Sequence, residues 1–280
     1  MRALGIASAL LLLGAAHGQA GVLDRSRETG ELRIAYRTDA EPFSYVNAQG
    51  QAAGFSVDLC KAVAKTVATK IGKPDVKLVE VQVSAMDRLA AIQDGKADIL
   101  CEATTVTLGR RETLDFSMPT FATGATLLYP VDGAKSFEDL AGKKVGVLSG
   151  TTTETGLREA LERAKVPAEI VTVPTHTDGI RMLASGELSA YFGDGAILLF
   201  HLMRSPFRDR LRLSDKVLSF EPYALALPHG DDAFRLVIDA TLAQMARSGE
   251  IGAVFEAAFG PGAKPSDLVR ALWMLNSVPE

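Results

Sequence analysis

Two segments of the sequence combine hydroxyl, backbone amide and cationic groups in a way that suits an anion. The first is the run 149–152, SGTT, which follows the apolar residues 145–148 and opens a predicted helix over 153–164. Backbone N–H groups, hydroxyls and the positive end of the helix dipole would converge there on an oxyanion. We take Thr151 and Thr152 as candidate ligands, although a threonine at this place also suits a plain helix N-cap.

The second segment joins a threonine pair to an arginine pair. Thr104 and Thr105 follow a predicted strand over 97–101, and Arg110 and Arg111 come shortly after them. An arginine guanidinium presents two parallel donors that match a carboxylate. Each arginine taken singly would be more typical of a solvated surface charge. The two segments together predict anion-binding groups at the ends of strands.

The sequence lacks the motifs that support the common hydrolytic, phosphoryl-transfer and dinucleotide-dependent reactions. It contains no HExxH, no GxSxG, no Walker A lysine after Gly150 and no GxGxxG. Outside the N-terminal segment the histidines are His176, His201 and His229, and their spacing indicates no metal site. We therefore expect neither a catalytic residue nor a metal or other cofactor.

Strand-like and helix-like segments alternate along the chain, which predicts an α/β fold. A helix, a polar-glycine stop and a buried strand over 88–101 recur over 180–192. The repetition indicates two lobes of similar plan, although βα units are common enough to resemble each other by chance. We predict lobe 1 over 21–128 and 223–280, and lobe 2 over 129–222.

Charge and the N-terminal segment bear on the partners and the compartment. The chain has 30 lysines and arginines against 34 aspartates and glutamates, without a basic run, which argues against nucleic acid as a partner.

The sequence of residues 1–20 is typical of a secretory signal peptide: Arg2, an apolar stretch, then a small-residue end at Ala20. A membrane anchor would need about 20 apolar residues, and this run is shorter. We expect an exported, soluble protein.

The sequence contains two cysteines, Cys60 and Cys101, separated by 41 positions. This number excludes a disulfide-dense scaffold and every CxxC motif. The two thiols could pair in an oxidising compartment, or each could be a small buried hydrophobic residue.

An ordered set of motifs resembles the polar amino-acid-binding proteins of bacterial ABC importers, and most closely their glutamate/aspartate-binding branch. The motifs include RIAYRTDAEPFSY at 33–45, GFSVDLC at 54–60, Arg88 with QDG at 93–95, CEATT at 101–105, FS at 116–117, and DLAGKKVGV at 139–147 with SGT at 149–151. The resemblance covers about 31–260. It implies two Rossmann-like lobes joined by a two-strand hinge, the type II periplasmic binding protein fold. It also implies closure on one amino acid and delivery to a membrane permease; we expect a monomer.

The resemblance also assigns roles to individual residues. Arg110 matches the arginine that clamps the ligand α-carboxylate, with Thr105 beside it and Thr151 and Thr152 approaching from the second lobe. Asp194, in FGDG at 192–195, matches the acid that meets the α-ammonium. The two charges of a zwitterion need opposite partners if they leave water together.

Three further positions match groups that meet an acidic ligand side chain: Arg37, Arg88 and His176. Cationic or hydrogen-bonding groups gathered at one end of a pocket are costly unless a carboxylate arrives. Two positions depart from the branch, since Ala103 replaces a hydroxyl residue and the serine near Arg88 is displaced to Ser84. Glutamate, aspartate and a related polar amino acid therefore all stay open as ligands.

Three alternatives remain beside the acidic reading. One is a binding protein for neutral polar amino acids. Another is a periplasmic dehydratase of the cyclohexadienyl type, which shares this fold and needs a general acid, for which Glu102 is the acid placed by motif. The last is the ligand-sensing input of a signalling system.

Overall fold

The computed structural model describes residues 21–134 and 136–279, so the predicted signal peptide lies outside the described residues. Ten α-helices occur in this part, with 3-10 turns at Glu138–Leu140 and Arg208–Arg210. The helices are α1 Val22–Thr29, α2 Phe55–Ile71, α3 Arg88–Gln93, α4 Leu108–Arg111, α5 Thr152–Ala164, α6 His176–Ser185, α7 Gly195–Arg204, α8 Asp232–Ser248, α9 Glu250–Phe259 and α10 Asp267–Leu275. None of those described is long and apolar enough to cross a bilayer.

Fifteen strands accompany the helices over the same residues. They are β1 Glu31–Tyr36, β2 Asp39–Ala40, β3 Ser44–Val46, β4 Ala52–Ala53, β5 Lys77–Gln82, β6 Ile99–Leu100, β7 Leu114–Phe116, β8 Phe121–Thr123, β9 Ala125–Pro130, β10 Lys144–Leu148, β11 Glu169–Val173, β12 Ala190–Asp194, β13 Leu211–Leu213, β14 Glu221–Tyr223 and β15 Ala226–Pro228. The alternation of strands and helices predicted from the sequence is confirmed.

The strands form two five-stranded sheets of matching plan. The first has the order β5-β1-β6-β15-β7, and the second β11-β10-β12-β9-β13. In each sheet the first three strands are parallel. The fourth strand runs antiparallel to the third, and the fifth runs antiparallel to the fourth. The likeness inferred from 88–101 and 180–192 therefore reflects equivalent units, α3–β6 and α6–β12. A small sheet, β2-β3-β4, lies beside the first.

Two antiparallel strands carry the chain between the sheets. β8 pairs with β14 through Phe121↔Tyr223 and Thr123↔Glu221. The rings of Phe121 and Tyr223 pack in the core of the first lobe against Phe43, which also contacts Phe259. Positions 128 and 129, predicted as a lobe boundary, fall within β9. We propose that the crossing strands themselves divide the lobes.

A disulfide joins Cys60 of α2 to Cys101, which directly follows β6. Of the two possibilities that the sequence left open, pairing is the one in the structure. Both residues are fully buried in the core of lobe 1. The bridge therefore fixes the start of the segment that carries Glu102 to Thr105 against α2, a helix of 17 residues.

The disulfide should contribute substantially to stability, because it closes a loop with a sequence separation of 41. Replacing both cysteines by serine should lower the free energy of unfolding by about 2–4 kcal/mol, since the unfolded chain regains the entropy of the open loop. Urea titration with and without a thiol reductant measures this. The reductant should destabilise the natural protein and leave the double variant unchanged; equal sensitivity of both would contradict the prediction.

Candidate functional site

The predicted site residues lie where the strands of the two sheets end and face each other. Arg37 directly follows β1, and Thr105 follows β6 by a short segment, whereas Thr152 begins α5 after β10 and Asp194 ends β12. The carboxyl ends of parallel strands are the usual place for ligands in open α/β sheets. Arg88, Arg110 and His176 reach the same region from the first or last turns of α3, α4 and α6.

Hydroxyl groups connect the two lobes across this region. Thr105 Oγ1 of lobe 1 lies 3.3 Å from Thr152 Oγ1 of lobe 2. Thr152 Oγ1 also donates to Glu221 Oε2 at 3.0 Å, on the crossing strand β14. Ser219 donates to the other oxygen of Glu221 at 2.8 Å. This chain of polar contacts joins both lobes and the hinge.

Thr151 has a different role from Thr152. Its hydroxyl accepts from the backbone N–H of Glu154 at 3.2 Å and donates to the carbonyl of Leu148 at 2.7 Å. These are the contacts of a helix N-cap, one of the two readings that the sequence allowed. Only its backbone N–H and that of Thr152 thus remain candidates for an anion, because the Thr152 hydroxyl donates its one hydrogen to Glu221.

A close backbone approach between the lobes depends on Gly150. Its φ is +71°, and an added Cβ would lie 2.5 Å from Met86 Sδ of lobe 1. The carbonyl of Gly150 accepts from Arg88 Nη1 at 3.2 Å. A glycine therefore lets the loop before α5 lie directly on the loop that leads into α3.

Arg110 is held in place by lobe 1 itself. Its Nη1 donates to the carbonyl of Thr105 at 2.6 Å, and its backbone N–H donates to the Thr107 hydroxyl that caps α4. Burial lowers the pKa of Arg110 from its usual value, while Glu102 and Glu221 act in the opposite direction. One edge of the guanidinium is thus fixed by the backbone beside the threonine that the resemblance assigned to the same carboxylate.

Arg37 and Arg88 converge on the carboxylate of Glu102, which its motif suggests only as a possible general acid. Glu102 is 1% exposed; its Oε1 lies 3.1 Å from Arg88 Nε and its Oε2 3.6 Å from Arg37 Nη1. Asp39 accepts from Nε and Nη2 of Arg37 at 3.0 and 2.7 Å. The expectation that these arginines need an arriving carboxylate is corrected here, because the chain supplies one of its own.

His176 is a neutral group in this environment. Burial lowers its pKa well below 6.5, and the charges of Arg37 and of the neighbouring His201 add to the effect. Its Nδ1 lies 3.1 Å from the hydroxyl of Tyr191 on β12. His176 therefore contributes hydrogen bonding rather than positive charge to this end of the cleft.

Asp194 carries a carboxylate whose pKa is raised by its surroundings. Its Oδ1 is buried and has no hydrogen-bond partner among the described residues. Burial raises the pKa of Asp194 to about 7, and Glu221 adds to the rise, while the Tyr223 hydroxyl lowers it. An ammonium group placed beside Asp194 would restore the ionised form.

The raised pKa of Asp194 gives a pH dependence that can be measured. Between about pH 4 and pH 7 the folded protein holds a proton that the unfolded chain has released, so its stability should fall as pH rises. Denaturant titrations of ligand-stripped protein across this range should show the fall. Asp194→Asn cannot ionise and should lack this component, so parallel profiles for the two proteins would contradict the assignment.

Comparison with known proteins places these observations in a family. The model of the bacterial extracellular solute-binding proteins, family 3, matches residues 32–261. The glutamate/aspartate import solute-binding protein of Salmonella typhimurium is 32% identical over 92% of this chain and 88% of its own. The protein of the same name from Escherichia coli is 31% identical, over 91% and 84%.

Solved structures share the architecture. A variant of the arginine-binding protein ArgBP from T. maritima superposes with a TM-score of 0.75 and 26% identity, covering 85% of this chain and 99% of its own. The ancestral amino-acid-binding protein AncCDT-1, a precursor of cyclohexadienyl dehydratase, gives 0.74 and 30%, with the same coverage. The two-lobed type II fold predicted from the sequence is confirmed, and the chain belongs to the bacterial extracellular solute-binding proteins, family 3.

Proposed function

We propose that this protein binds glutamate or aspartate in the periplasm and delivers it to the permease of an ABC importer. The observation that carries the proposal is an excess of positive charge beside His176: Arg37, Arg88 and Arg110 gather there, against Glu102 and Asp39 as their paired carboxylates. Two guanidinium groups and an imidazole suit a side-chain carboxylate. The names of the relatives from Salmonella typhimurium and Escherichia coli support the same ligand class.

The remaining predicted ligands suit the part that all amino acids share. Arg110, Thr105 and the N-terminus of α5 at Thr152 would hold the α-carboxylate. Asp194, with its unpartnered oxygen, would hold the α-ammonium. Each charge of the zwitterion then leaves water beside an opposite charge, which is the condition for binding in a closed cleft.

Closure would complete this site, because its groups come from both lobes. Arg37, Arg88, Thr105 and Arg110 lie on lobe 1, and Thr152, His176 and Asp194 lie on lobe 2. The pairing of β8 with β14 supplies a two-strand connection about which the lobes can rotate. A ligand that contacts both lobes shifts the equilibrium towards the closed form.

A neutral polar amino acid is the second candidate, and Glu102 is the observation that favours it. Its carboxylate already neutralises part of the charge of Arg37 and Arg88. An ancestral arginine-binding protein has been solved with glutamine bound, at 29% identity. The dehydratase alternative has less support: Glu102 is enclosed by two arginines, and the relatives from Salmonella typhimurium and Escherichia coli are named as import proteins.

Removal of the Arg110 guanidinium should weaken the binding of every amino acid. Arg110→Ala should cost about 3 kcal/mol or more, over a hundredfold in Kd, because the α-carboxylate would lose a charge-assisted bidentate partner in a buried place. Calorimetric titration measures the loss. Arg111→Ala is the matched control, since Arg111 is the exposed neighbour on α4. Equal affinities for the two variants would remove Arg110 from the site.

The proposed ligand class is tested by competition between an acid and its amide. Glutamate or aspartate should bind at least about tenfold more tightly than glutamine or asparagine, about 1.4 kcal/mol, because hydrogen bonds from the arginines to an ionised carboxylate are stronger than those to a neutral amide oxygen. Calorimetry of refolded, ligand-stripped protein provides the affinities. Glutamine displacing glutamate at equal concentration would refute the acidic assignment and favour the neutral candidate.

A further inference from the structure

Glu102 has features that separate it from an ordinary structural ion pair. It is 1% exposed, stands between the strand end at Cys101 and the threonine pair, and faces arginines from two other elements. Thr104 Oγ1 donates a hydrogen bond to its Oε1. Its Oε2 is buried and accepts no hydrogen bond from any described residue. The cleft thus contains an anionic oxygen with an open acceptor position beside Arg37.

Glu102 Oε2 should interact differently with a ligand carboxylate and with a ligand amide. A ligand carboxylate that reaches Arg37 and Arg88 would share them with Glu102, and two anions side by side repel each other in a buried place. A ligand amide could accept from an arginine through its oxygen and donate from its NH2 group to Glu102 Oε2. Glu102 therefore acts against acidic side chains and in favour of amides at the same point.

We propose that Glu102 is a specificity-determining residue that moderates the preference of the cleft for an acidic over an amide side chain. The proposal rests on the function proposed above, because it concerns the same site and the same ligand class. Specificity is a difference between two affinities, and Glu102 changes the two in opposite directions. Arg37 and Arg88 determine where the ligand side chain binds, and Glu102 determines how much of their positive charge is already neutralised.

The charged groups around Glu102 come from several elements. Asp39 pairs with Arg37 from β2, and Arg110 lies on α4. From the hinge and the other lobe, Glu221 and the ionised form of Asp194 add negative charge, and His176 is neutral. Arg37 keeps a carboxylate partner when Glu102 loses its charge, so the neutralised site should retain its arrangement.

The test is the ratio of glutamate to glutamine affinity in Glu102→Gln, measured by calorimetry on ligand-stripped protein. The substitution keeps the shape and removes the charge. Glutamate should bind more tightly and glutamine should not, so the ratio should rise at least about tenfold, or about 1.4 kcal/mol. A ratio within about threefold of the natural protein overturns the proposal. If Glu102→Gln does not fold, Glu102→Ala removes the same charge and should move the ratio in the same direction.

Asp98→Asn is the matched control. Asp98 is also a fully buried carboxylate that pairs with two arginines, Arg25 and Arg33, but it lies at the opposite end of β6. Its substitution should change stability and leave the ratio unchanged, whereas an equal change in both variants would show a merely structural effect and overturn the proposal. If the natural protein prefers glutamine and Glu102→Gln still shifts the ratio towards glutamate, the acidic assignment fails while the role of Glu102 stands.

Discussion

The cost of taking ionised groups out of water is the constraint on which this cleft depends. The described residues place three arginines in it: Arg37, Arg88 and Arg110. Burial disfavours the charged form of each guanidinium, and a nearby carboxylate favours it. Burial alone would make these cations very unfavourable, and attraction to Glu102 is the first compensating interaction at each of them. The fold therefore has to place opposite charges next to each other at the strand ends where the two lobes meet.

The fold meets this requirement by anchoring the polar segments in apolar cores. The disulfide from Cys60 to Cys101 and the aromatic cluster around Phe43 and Phe121 fix the segments on either side of the lobe 1 half of the cleft. The crossing strand β14 carries Tyr223 into that core and Glu221 towards Thr152. One short strand thus links the rigid packing of lobe 1 to the hydroxyl contacts that join the lobes.

Local sequence predicted the elements well and the pairing of charges less well. The threonines and arginines at strand ends were visible because strand, loop and helix signals are local. The ion pairs of Glu102 could not be predicted in this way, because its partners Arg37 and Arg88 are distant from it in the folding pattern. They meet it only after β1 pairs with β6 and α3 packs beside them. The one local signal of a buried ion pair was Glu102 itself, the charged residue in the run 99–105, because acids without a partner are rarely buried. The choice between a disulfide and two free thiols likewise needed the relative placement of α2 and β6.

The division of charges between the lobes has a consequence for the order of binding. Glu102, Asp39 and the three arginines all belong to lobe 1, so their pairing does not need lobe 2. Asp194 and His176 belong to lobe 2, and it is their burial that shifts their pKa values. The lobe 1 pairs would therefore stay formed when the cleft opens. The charged groups of lobe 1 are therefore arranged before a ligand arrives, and closure would bring Asp194 of lobe 2 to the ammonium group of the proposed ligand.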